Sequence, residues 1–235
     1  MLNPAVEREP VLERHPQRLL AWLVFVVVLA LINLAGRLTG GETPDDLAYR
    51  WVSSIAALIQ FSIMLGILLL IARGLNPREV FALRRPRSWA RSLGLVAIVL
   101  LVTLLAEVVY GVALSRIGDF DPSKEQGLLP EGWDSSRVPP FVAFFLAVSI
   151  LAPVVEELTF RGLGISLLVP YGAVLAVIVT GALFGAVHGL LIGLPVLVFF
   201  GLALGWMRGH SDSVYVPMLT HAVFNGGTLI AAVVM

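Results

Sequence analysis

Seven stretches of this chain are each long and apolar enough to cross a bilayer, and that removes most folds from consideration. They run at roughly 19–37, 51–72, 90–115, 139–160, 171–188, 190–207 and 213–234. About 20 residues at 1.5 Å each cover the ~30 Å of hydrocarbon, and a span inside lipid must satisfy its own backbone, so each reads as a helix. The 235 residues are 58% hydrophobic and 14% charged, with mean hydropathy +0.91, far from the composition of a soluble domain. The predicted fold is an all-α, polytopic membrane bundle of about seven helices. The apolar stretch 162–170, ending in Pro170, either extends the fourth helix or forms an eighth. Residues 1–18 read as a cytoplasmic N-terminal segment and 19–235 as one transmembrane domain.

Basic residues in short loops set orientation. The loop 73–91 holds Arg73, Arg78, Arg84, Arg85, Arg87 and Arg91 and is expected in the cytoplasm. Two spans precede it, so the N-terminus, with Arg8, Arg14 and Arg18, is expected there too. The first span is longer than a signal-peptide core and reads as uncleaved. Loops 36–50 and 116–138 then lie outside, the second carrying Trp133 as an interface anchor. A formal net charge of zero gives a nucleic-acid partner no electrostatic support. The lack of cysteine excludes disulfides, thiolate catalysis and Cys-based zinc sites. Among the sixteen basic residues only Lys124 is lysine, a bias of GC-rich bacterial genomes. The pairs Gly181/Gly185 and Gly201/Gly205 are small-xxx-small patterns and read as helix packing.

Carboxylates are costly in hydrocarbon, and an acid within a span marks a functional site by default. Glu156 and Glu157 stand side by side in the fourth span, with Arg161 four residues after the second. Positions i and i+4 share a helix face, and Glu before Arg is the favourable order, so Arg161 neutralises Glu157. Glu156 points about 100° away and has no built-in partner. Phe184 and His188 are four apart in the fifth span, as are His221 and Asn225 in the last. Singly, each polar group reads as an interhelical hydrogen bond. Together they can build a hydrolytic site. A carboxylate and an imidazole can take a proton from water, and a second imidazole and an amide can donate to an oxyanion. Pro153, three residues before Glu156, either frees a carbonyl or is simply tolerated. Glu107 either lines a polar cavity or lies near the outer interface. Asn33 reads as structural, and His15 and His210 as solvated loop residues.

The three motifs, Glu156-Glu157-x-x-x-Arg161, Phe184-x-x-x-His188 and His221-x-x-x-Asn225, occur in order in consecutive apolar segments. They resemble the CPBP family of intramembrane proteases, which includes the type II CAAX prenyl endopeptidases and bacterial Abi proteins. The resemblance covers about residues 139–230 and has no counterpart in the first three spans. It implies an intramembrane endopeptidase acting on a membrane-anchored peptide or protein within the lipid bilayer of a bacterial cytoplasmic membrane. It further implies that Glu156, aided by His188, is the general base that activates water, and that His221 and Asn225 stabilise the oxyanion. Glu157, Arg161 and Phe184 support the site. No cofactor is expected. Zinc stays open as a variant, since Glu156, His188 and His221 would be a two-His, one-carboxylate set.

Two rivals come from other classes. One is a non-catalytic immunity or scaffold protein that keeps the motifs as structure. The other is a proton-coupled transporter with a Glu/His relay, against which no inverted repeat is found. A shared site also makes a geometric demand. Glu156 and His188 reach one depth only if the fourth helix runs on toward 168, which is expected, or the fifth is tilted or broken. Substrate identity and oligomeric state are not legible in the residues.

Overall fold

The computed structural model describes residues 14–39, 44, 46–116, 130 and 132–234, and among these all regular structure is helical. Arg8, Asp45, Lys124 and most of the loop 116–138 lie outside the described residues. The helices are α1 (Pro16–Thr39), α2 (Trp51–Ile71), the single-turn α3 (Pro77–Val80), α4 (Trp89–Ser115), α5 (Val138–Tyr171), α6 (Ala173–Ala186), α7 (Leu194–Ser211) and α8 (Tyr215–Val234). Five of them, α1, α2, α4, α5 and α8, are long and apolar enough to cross a membrane. At 14 residues α6 falls short of the span read from the sequence. The stretch 162–170 forms no separate element and completes α5, which reaches 34 residues.

The bundle is apolar outside as well as inside, as lipid requires. Leu58, Leu70, Leu101 and Val109 each expose more than half of their surface. The most apolar stretch of α5 is 44% buried, against 11% for that of α1, so α5 is the central helix and α1 a peripheral one. The core around α5 is built from Trp22, Phe160, Leu163, Phe184, Leu204 and Met207. Helices α6 and α7 pack closely along their small residues. A Cβ at Gly201 would lie 2.6 Å from the Gly181 carbonyl oxygen, so the packing reading of these glycines holds.

Contacts sort the connections to two ends. At one end Arg14 lies over the Tyr171 ring at 5.1 Å, and Arg18 donates to Ile71 O. There the 73–91 loop tucks Phe81 and Ala82 inside, and Arg84 pairs with Asp212 at 2.7 Å in the α7–α8 turn. At the other end Arg137 bridges Asp46 and Asp134, each at 2.6 Å, and Tyr49 Oη donates to Gly132 O. The bond from Arg137 and the neighbouring Arg50 hold the Asp46 carboxyl below its ordinary range. Bonds from the Ser136 hydroxyl, Arg137 and the Ser136 N–H hold Asp134 at about 2. Trp133 is exposed and sets its ring edge against Phe141 at 5.4 Å.

Candidate active site

Two π-helical stretches, Ala147–Leu151 and Leu158–Gly164, bracket the short α-helical segment Ala152–Glu157 that carries both glutamates. Wide turns of this kind recur at functional sites because they re-aim side chains without breaking the helix. The first has a cause in the sequence. The Ala152 N–H bonds to Ala147 O, five residues back. The same step would give Val148 O to residue 153, which is Pro153 and has no N–H. Asn225 from α8 supplies the missing donor, with Nδ2 at 3.0 Å from Val148 O. In the second stretch Trp22 of α1 donates Nε1 to Thr159 O at 3.0 Å.

Glu157 and Arg161 are both fully buried and joined at 3.0 Å, as their spacing requires. Arg161 Nη2 donates to Gly201 O at 2.7 Å, and its guanidinium lies 4.4 Å from the centre of the Phe184 ring. Glu157 Oε1 also lies 3.0 Å from His221 Nδ1. A carboxylate paired with arginine accepts, so that imidazole nitrogen carries the hydrogen and Nε2 points away from Glu157. His221 Nε2 is 3.9 Å from Glu156 Oε2, too long for a direct bond. Glu156 Oε2 is buried without a partner, while the side chain as a whole keeps 13% of its surface open. One glutamate is therefore locked into the framework and the other is not.

His188 differs from its reading as a face residue of a helix. Helix α6 ends at Ala186, and His188 sits in the closing turn, its N–H bonded to Gly185 O at 3.2 Å. Its Nδ1 is still 2.8 Å from Phe184 O. A carbonyl can only accept, so Nδ1 carries the hydrogen and Nε2 is free to act as acceptor. The Phe184 ring touches both imidazoles, with centroids 4.9 Å from His188 and 5.5 Å from His221. Helix α5, the fourth span, runs on past 168, as expected. Fifteen residues separate Glu156 from the end of α5 at Tyr171, and fifteen separate the start of α6 at Ala173 from His188. Counted along the chain, the two stand equally far from that shared turn.

Glu156, His188 and Asn225 are half-buried, whereas Glu157, Arg161 and His221 are closed off behind them. Among the described residues, no group of three His, Asp or Glu side chains is arranged to hold a metal ion. Glu107 is half-buried in α4. His210 lies in the last turn of α7 rather than in a loop, with Nδ1 3.1 Å from Trp206 O. His15 directly precedes α1. Asn33 is structural, as read, and donates Nδ2 to Val187 O beside His188. The sequence reading passed over two contributors. Trp22 and Tyr110 lie on helices without a motif, and their only signal is a hydrogen-bonding ring inside an apolar span.

Residues 138–227 match the sequence model of the family described as Type II CAAX prenyl endopeptidase Rce1-like. The match bears out the resemblance carried by the three motifs and covers nearly the same residues. No curated protein and no solved structure matches the chain.

Proposed function

We propose that this chain, whose residues 138–227 match the Rce1-like family model, is a metal-independent intramembrane endopeptidase in which Glu156 is the base. The observation that carries the reading is the split between the two glutamates. Glu157 is bonded through Oε1 to Arg161 and His221, while Glu156 has no arginine partner and its Oε2 is buried without a hydrogen bond, 3.9 Å from His221 Nε2. A single water oxygen fits within ~2.8 Å of both atoms. Glu156 takes a proton from that water as the oxygen attacks the peptide carbonyl carbon, aided by His188, whose Nε2 is left as an acceptor. The carbonyl π pair moves onto oxygen. Asn225 has one amide hydrogen committed to Val148 O and a second to give to that oxyanion. The adduct collapses, the C–N bond breaks, and the leaving nitrogen takes the proton held by Glu156.

The donor role of His221 requires its charged form. With Nδ1–H given to Glu157, its Nε2 carries a hydrogen only as imidazolium. The substrate class is a membrane-anchored peptide or protein. The end of the bundle that gathers Arg14, Arg18 and the 73–91 loop is the cytoplasmic one, in a bacterial cytoplasmic membrane. Reporter fusions in the 73–91 loop test that orientation.

The function is tested by quantitative proteomics of membrane fractions from cells carrying the wild type or Glu156→Gln. A small set of membrane-anchored proteins should accumulate uncleaved with the variant. Identical proteomes, with the variant folded and present at wild-type levels, would leave the non-catalytic scaffold as the better reading.

A further inference from the structure

The turn that carries His188 is pinned at both ends by side chains from outside the family-matched segment. At 14 residues α6 rises only about 21 Å. Its closing turn, Val187-His188-Gly189-Leu190-Leu191-Ile192-Gly193, is apolar except for the imidazole, and Leu191 is 63% exposed. Non-helical backbone at that depth persists only where its polar groups find partners in protein. Two short bonds serve the amides, His188 N–H to Gly185 O at 3.2 Å and Gly189 N–H to Ala186 O at 3.1 Å. Two carbonyls are served from other helices. Asn33 of α1 donates Nδ2 to Val187 O, and Tyr110 of α4 donates Oη to Ile192 O at 2.8 Å. The turn also lies directly on α1. Gly189 has φ +66°, and a Cβ there would meet the Asn33 carbonyl carbon at 2.8 Å.

We propose that Asn33 and Tyr110 are positioning residues that hold the His188 imidazole in register with the site. One bond falls immediately before His188 and the other four residues after it, so together they fix the height and rotation of the turn. That fixed turn keeps His188 Nδ1 on Phe184 O and leaves Nε2 as the acceptor. Helices α1 and α4 carry no motif of the family, yet the matched segment by itself lacks both donors. This gives the unmatched helices a chemical task. The inference rests on His188 belonging to the site, and its test needs no substrate.

The test uses full-length protein in nanodiscs with 15N-labelled histidine. In the wild type His188 should be held as the Nδ1–H tautomer, and the amides of 187–193 should exchange slowly. Tyr110→Phe, which deletes one oxygen, and Asn33→Leu should each shift His188 toward a tautomer mixture. Each should also speed exchange in that turn roughly tenfold, the effect of losing a hydrogen bond of about 1.4 kcal/mol, with α8 amides unchanged. Should Asn33→Leu fail to fold, Tyr110→Phe carries the test. An unchanged His188 tautomer and unchanged turn exchange in folded Tyr110→Phe would overturn the proposal. The expected shifts in a protein that cleaves nothing would overturn the peptidase reading and leave the positioning role standing.

Discussion

Glu157→Gln and Glu156→Gln are the same chemical change on neighbouring residues, and the structure demands opposite outcomes. Glu157 and Arg161 are both 0% exposed and bonded at 3.0 Å. The amide removes the negative charge and leaves a guanidinium buried without its counter-ion. Breaking a buried pair from one side costs about 3–5 kcal/mol. It also removes the carboxylate that fixes the His221 Nδ1–H. Glu156 holds no hydrogen bond through Oε2 and keeps part of its surface open, so its amide should change stability by under about 1 kcal/mol. For a chain of this length that difference is a fall in Tm of roughly 6–20 °C against one of a few degrees. Thermal unfolding in detergent, followed by tryptophan fluorescence, reads both. Arg161→Leu adds a check: combined with Glu157→Gln it should cost less than the sum of the two, by roughly 1–3 kcal/mol, because the residues act as one unit. A Glu157→Gln protein melting with the wild type, or a Glu156→Gln protein melting far below it, would refute the division of roles.

Three other outcomes follow from the same geometry. Asn225→Ala should slow turnover about 10²–10³-fold by losing an oxyanion donor, and should also cost about 1–3 kcal/mol because Val148 O loses its partner; stability loss with unchanged turnover per folded molecule would leave Asn225 a packing residue. Purified protein treated with chelator should keep its activity and show no stoichiometric zinc by elemental analysis, whereas activity lost to chelator and restored by zinc would overturn the metal-independent mechanism. Asp134 titrates at about 2, below its ordinary value, so its clasp with Arg137 stabilises the fold fully above the ordinary carboxylate range near pH 3.9 and loses that contribution as pH falls through about 2; Arg137→Gln should move the Asp134 titration upward by carboxyl NMR, and an unmoved Asp134 would assign the shift to Ser136 alone.

The helices and the charged core of the site were legible because both obey short-range rules. Runs of about 20 apolar residues gave α1, α2, α4 and α8 nearly to their ends, and i,i+4 spacing alone joined Glu157 to Arg161. The length of α6 was not legible. Nothing local separates a 14-residue helix with an apolar turn from a full span when Leu190, Leu191 and Ile192 continue the hydropathy. The π-helical stretches were half-legible. Pro153 announced a missing donor, but which carbonyl would be freed depended on the five-residue step at Ala152. The remaining contacts join residues too far apart for spacing to reveal. Trp22 reaches Thr159, His221 reaches Glu157 and Asn225 reaches Val148, across 137, 64 and 77 residues.

In hydrocarbon every polar group needs a partner, and that rule orders the site. Val148 O takes Asn225, Thr159 O takes Trp22, Val187 O takes Asn33, and Glu157 Oε1 takes both Arg161 and His221. Each bond joins two helices or neutralises a charge, and each holds its residue in one orientation. Against that background the unpartnered Glu156 Oε2 is costly to keep, since a buried acceptor without a donor loses about 1–3 kcal/mol. A packing residue would gain by replacing it with an apolar side chain of the same size. A base gains nothing from a fixed donor, because the hydrogen it must accept comes from water. Glu157 Oε2 and Arg161 Nε are buried without hydrogen bonds as well, but their charges neutralise each other at 3.0 Å; Glu156 has no such counter-ion, and its Oε2 faces His221 Nε2 across 3.9 Å, the distance a single bridging oxygen can span.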